Sequence, residues 1–97
     1  MVKYEAMFII KPDLSEEERK TLFNQIQEVI GKNQGYVFSA AIWQEKRKFF
    51  FPIKKFHEGL YYLVNFSAPA SAIKEINNIY KLNENILRVL ITKQHNK

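Results

Sequence analysis

The 97-residue chain has no cysteine. That excludes a disulfide framework, a thiolate nucleophile, and any zinc or iron–sulfur centre held by cysteine. Glycine is scarce: Gly31, Gly35 and Gly59 are scattered and none opens a helix, so no glycine-rich loop exists to cradle a phosphate. No run of eighteen apolar residues is present, and Met1-Val2-Lys3-Tyr4-Glu5 meets charge too early for a signal peptide, so the expected address is cytoplasmic with no membrane partner. Histidine occurs twice, His57 in an expected turn and His95 in the polar tail, neither in a nucleophile-elbow or metal-ligand pattern. The expectation is therefore no catalytic residue, no metal, no cofactor and no small-molecule substrate.

What remains is 46% apolar, 14% aromatic and 26% charged, the composition of one domain spanning residues 1–97. A chain this short buries roughly 60–65% of the surface it exposes when unfolded, leaving little interior for a substrate chamber. The net charge is +5 and unevenly spread. Residues 1–45 hold five Lys/Arg against seven Asp/Glu, net −2, and residues 46–97 hold ten against three, net +7. The second half is the one suited to a polyanion.

Tyr4 to Lys11 is nearly apolar throughout and reads as a central strand, ended by Pro12-Asp13. Ser15 with Glu18 three residues on spells a capping box. The helix it opens carries Leu22, Phe23, Ile26, Val29 and Ile30 as a buried stripe and stops near Gly35, where Asn33-Gln34-Gly35 tolerates a left-handed turn. Tyr36 to Ile53 turns β-like, as one long strand or two segments of one, and Lys54 to Gly59 reads as a hairpin turn. Leu60 to Ala68 returns with Leu60, Tyr62, Val64 and Phe66 on one face. Pro69 opens a second helix marked by Ile73, Ile76, Ile79 and Tyr80, Asn83-Glu84-Asn85 breaks it, and Ile86 to Ile91 forms the last strand.

The order β-α-β-β-α-β predicts an α+β, ferredoxin-like sandwich: a four-stranded antiparallel sheet with both helices on one face. Alternation then places Ala6, Phe8, Tyr62, Val64, Val89 and Ile91 toward the helices. It leaves Glu5, Met7, Ile9, Tyr61, Leu63, Asn65, Arg88, Leu90 and Thr92 on an uncovered face. That face is apolar enough to be a contact surface. The other candidate is Lys46-Arg47-Lys48, followed by Phe49-Phe50-Phe51-Pro52-Ile53 and Lys54-Lys55: cations for phosphates, interleaved with rings that can stack on unpaired bases. The same pattern also fits an edge strand guarded by charge, with the phenylalanines as plain core.

Two functions share this topology. A stand-alone single-stranded RNA-binding module of the RNA-recognition-motif type needs a basic residue, Gly, an aromatic, a small residue and Phe on its third strand, but Glu58-Gly59-Leu60-Tyr61-Tyr62 matches only at Gly59 and loosely at Tyr62. An acylphosphatase needs an arginine in a glycine-bearing loop after the first strand, where this chain has Pro12-Asp13-Leu14-Ser15.

Taken in order, Tyr4-Glu5 opening a strand closed by Pro12, Lys46-Arg47-Lys48 ahead of Pro52-Ile53, Glu58-Gly59-Leu60-Tyr61-Tyr62, and Leu82-Asn83-Glu84-Asn85-Ile86-Leu87-Arg88 resemble the bacterial small-subunit ribosomal protein six family. The resemblance spans nearly the whole chain. It implies a non-catalytic ribosomal protein, cytoplasmic and in the ribosome, that joins the central domain of small-subunit rRNA together with small-subunit protein eighteen. Carried onto matching positions, it makes Lys3, Tyr4, Lys46, Arg47, Lys48, Arg88 and Lys93 the RNA-facing candidates. The partner protein is expected on the uncovered face, at Met7, Ile9, Tyr61, Leu63 and Leu90. The chain departs from the family at Glu45, where a glycine is common, at Trp43, which stands one residue further from Pro52, and at Phe49-Phe50-Phe51, a bulkier version of Leu-Ala-Tyr. An extended acidic tail occurs in some members, and Lys93-Gln94-His95-Asn96-Lys97 is not one.

Overall fold

The computed structural model describes residues 1–94, so His95 lies outside the described residues. The elements run β1 (Val2–Ile10), α1 (Glu16–Lys32), β2 (Tyr36–Ile53), β3 (Phe56–Ala68), a single 3-10 turn (Ala70–Ala72), α2 (Ile73–Lys81) and β4 (Ile86–Lys93). The sheet order is β2-β3-β1-β4 with every pairing antiparallel, the ferredoxin-like arrangement that the alternation of elements predicts. No described helix is long and apolar enough to cross a membrane.

The capping box forms as the spacing predicts. Ser15 Oγ accepts from the Glu18 amide at 3.1 Å, and Glu18 Oε1 accepts from the Ser15 amide at 3.0 Å. The Ser15 backbone amide, followed by its hydroxyl, holds the Glu18 carboxyl below its ordinary pKa. Leu22, Ile26 and Ile30 bury one face of α1, with Phe23 and Val29 at its margin. At its end the residue in left-handed backbone is Gln34 (φ 66°), not a glycine. Gln34 donates to the Gly31 carbonyl and Gly35 to that of Ile30, satisfying two terminal carbonyls in a Schellman pattern. Gly35 is needed for closeness instead, because a Cβ there would stand 2.6 Å from Ile30 Cγ2 and 2.9 Å from the Ser67 carbonyl.

Pro69 lies just ahead of the 3-10 turn rather than in the α-helix proper, and α2 begins only at Ile73. The core lies between helices and sheet: Ala6, Phe8 and Ile10 of β1, Leu60, Tyr62, Val64 and Phe66 of β3, Ile76 and Tyr80 of α2, and Ile86 of β4 are buried. Tyr80 ties the helices together, donating its hydroxyl to the Ile26 carbonyl while its ring meets Phe8 edge-on at 4.8 Å. Burial holds its phenol well above the ordinary tyrosine range. Tyr62, stacked on Phe23 at 3.9 Å, is raised for the same reason, an effect that the amide of Gln27 partly offsets.

The hairpin turn is shorter than the six residues expected. Ile53 pairs with Phe56, leaving Lys54 (φ 48°) and Lys55 (φ 74°) as a two-residue turn whose positive φ pair matches the type I′ geometry suited to strand twist. β2 is one continuous strand of 18 residues, but its register against β3 shifts at four points. β1 pairs with β3 only as far as Ile10 and Leu60, so the turn end of the β2–β3 pair extends past β1 as a two-stranded ribbon.

Candidate nucleic-acid and partner interface

The face away from the helices is built row by row from the register. Ile9, Tyr61 and Arg88 form one row, Met7, Leu63 and Leu90 the next, and Glu5, Asn65 and Thr92 the third. The faces therefore divide as the alternation predicts, and the five partner candidates share one surface. Leu90 is 62% exposed, Met7, Leu63 and Tyr61 are half-buried, and Ile9 is nearly covered. The third row is polar and tied down: Gln94 donates to Glu5 Oε2 (3.2 Å) and Asn65 Oδ1 (3.3 Å), and Asn65 donates to Ser39 Oγ (3.2 Å).

The first row ends in a cluster of rings and cations. The register shift between Ile42 and Gln44 brings Trp43 to within 5.9 Å of Tyr61. Arg47, opposite Gly59, lays its guanidinium 5.5 Å from the Trp43 centroid and 5.4 Å from that of Tyr61, a double cation–π contact that fixes the charge on the open face. Phe49 lies 6.4 Å from Tyr61, tilted against it. Arg47, Tyr61, Ile9 and Arg88, together with the stretch Lys48 to Ile53, line a partly open cleft of about 360 Å³; Trp43 lies outside it. Among the described residues the ion pairs are Arg19 with Glu45 (3.0 Å) and Lys32 with Glu28 (4.0 Å), so Lys46, Arg47, Lys48 and Arg88 keep their charges unneutralised.

Lys46, Arg47, Lys48, Arg88 and Lys93 are all exposed. Lys3 and Lys93 belong to the opposite end of β1 and β4, where Lys3 stands over the Phe38 ring at 5.6 Å, so the RNA candidates fall into two groups rather than one patch. Tyr4 departs from the expected RNA-facing set. Its side chain points to the helix side, is 8% exposed and stacks on Phe66 at 5.6 Å, so no base can reach its ring. Strand alternation carried this signal, since Tyr4 shares parity with Ala6 and Phe8. Phe50 and Phe51 are not core: they are 102% and 82% exposed. Trp43, not among the sequence-based candidates, joins this ring and cation cluster; its only sequence signal is an aromatic four positions before an arginine on a strand. His57 is exposed, and no group of three or more metal-ligating side chains occurs among the described residues.

Known proteins share both the sequence and this fold. A family model described as ribosomal protein S6 matches residues 3–93. The small ribosomal subunit protein bS6 of Halalkalibacterium halodurans is 43% identical over 93 residues, covering 96% of this chain and 97% of its own length. That of Dictyoglomus turgidum is 44% identical over 92 residues, covering 95% and 94%. The crystal structure of 30S ribosomal protein S6 from Thermotoga maritima matches with a TM-score of 0.87 at 32% identity, over 96% of this chain and 87% of that one. With the match running from the first strand to the last and the fold superposing throughout, the chain belongs to the ribosomal protein S6 family.

Proposed function

We propose that this protein is a structural, non-catalytic constituent of the small ribosomal subunit, resident in the ribosome of the bacterial cytoplasm. There it binds the central domain of small-subunit rRNA together with small-subunit protein eighteen. The observation that carries the reading is a single sheet face with unneutralised cations, Arg47 and Arg88, at one end and the apolar row Met7, Leu63 and Leu90 beside them. The cations suit phosphates and the apolar row suits a protein. Each surface is small for tight binding alone, but linked sites raise effective affinity by roughly 10²–10⁴-fold. The rigid sandwich supplies the fixed distance between them.

A filter-binding titration of the rRNA domain with and without the partner protein tests this. Binding by the isolated chain is expected to be feeble and to tighten strongly with the partner; equal affinity in both contradicts it. In the assembled complex, replacing Lys46, Arg47 and Lys48 by Ala should lower the salt slope by about 0.7–0.9 for each phosphate left unneutralised. An unchanged slope would put the RNA elsewhere.

A further inference from the structure

β2 does not run evenly into its turn. Lys48 opposes Glu58 and the next paired residues are Ile53 and Phe56, so four residues, Phe49 to Pro52, face His57 alone. The surplus loops out as a bulge. Phe49 folds back over Gly59, but Phe50 and Phe51, at the border of the cleft, stand in solvent with no stacked ring or cation partner among the described residues. Two adjacent uncovered rings on a projecting ribbon are an unfavourable hydration state, the kind of surface that marks a contact.

Their surroundings specify the contact. Residues 44–58 carry Lys46, Arg47, Lys48, Lys54 and Lys55 against only Glu45 and Glu58, and Glu45 is taken by Arg19. Arg88 reaches the same cleft from β4. The centre of a protein–protein interface is depleted in lysine, whereas rings set among lysines and arginines are the composition that grips single-stranded nucleic acid. A duplex hides its base faces, and only unpaired bases can lie on a ring.

We propose that the bulge is a stacking platform for unpaired RNA nucleotides, with bases on Phe50 and Phe51 and phosphates along Arg47, Lys48 and Arg88. This rests on the ribosomal RNA reading and adds to it the class of RNA segment and the residues that grip it. Because both rings are exposed, Phe50→Leu with Phe51→Leu leaves the core intact.

The test titrates the isolated full-length chain with a labelled oligouridine, a duplex of equal phosphate count and an acidic peptide. The expected result is weak binding that favours the single strand. It should fall roughly 5- to 150-fold per stacked base in the Leu variant and return in Phe50→Trp with Phe51→Trp, at unchanged salt slope. Preference for the duplex, wild-type binding by the Leu variant, or tighter binding of the acidic peptide overturns the proposal. Co-sedimentation with small subunits is read separately. A chain that joins them while the Leu variant binds oligouridine normally disproves the platform and leaves the ribosomal reading standing. A chain that never joins them, with the stacking result intact, does the reverse.

Discussion

The ring of Phe49 lies against the bare backbone of Gly59, so close that a β-carbon there would stand 2.8 Å from the ring Cζ and 3.0 Å from both the Ile10 carbonyl and Ile9 Cγ2. The half-buried ring can swing away, but the β1 backbone cannot. Gly59→Ala is therefore expected to destabilise the fold by about 1–3 kcal/mol in urea unfolding. Adding Phe49→Leu should recover part of that loss, since one of the three clashes disappears. Strict additivity of the two changes would show that ring and glycine do not share their space.

Leu90 is exposed in the middle of the apolar row. Leu90→Lys should change unfolding free energy by less than about 0.5 kcal/mol, yet abolish the gain in RNA affinity that the partner protein brings. Retention of that gain would move the partner off this face.

Ser15 and Glu18 cap α1 reciprocally. Ser15→Ala should cost about 1 kcal/mol in thermal or urea unfolding. The fold lowers the Glu18 pKa, so its stabilising effect is complete above the ordinary value of 4.5 and is lost as pH falls through the lower folded value. Glu18→Gln should accordingly flatten the acid arm of stability against pH while changing little at neutrality in its slope.

Tyr80 behaves in the opposite sense. The fold keeps its buried phenol neutral while the unfolded chain ionises it near the ordinary value of 10.0. Its contribution is present below that pH and is lost as pH rises beyond it. Tyr80→Phe should cost about 0.5–1.5 kcal/mol at neutral pH, through the lost bond to Ile26, and should make stability less steep in alkali. Calorimetric melting between neutral and alkaline pH checks both.

The elements of this fold were legible because each is specified locally. The Ser15–Glu18 spacing sets where α1 begins, and the parity of Ala6, Phe8, Tyr62 and Val64 sets which face the helices cover. The site was less so, because it depends on places where β2 departs from its own alternation. Trp43 comes beside Tyr61 only after a register shift, and Phe50 and Phe51 leave the sheet only because four residues oppose one. No strand pattern encodes a bulge whose cause lies on the neighbouring strand, here the opening at Gly59 that accepts Phe49. The turn was hidden differently: Lys54 and Lys55 adopt positive φ with neither glycine nor asparagine to announce it.

The four slips along β2 also bear on what surplus molecules do before they are built into anything. β2 is an outermost strand, and a straight one of 18 residues would offer an ideal template for another copy to zip onto. Bulges of this kind bend and twist an edge strand, which breaks the straight row of free amides and carbonyls, and the lysines along it repel their own kind. Newly made chains should stay dispersed while they wait, kept apart by the same irregularity that lifts Phe50 and Phe51 out of the sheet.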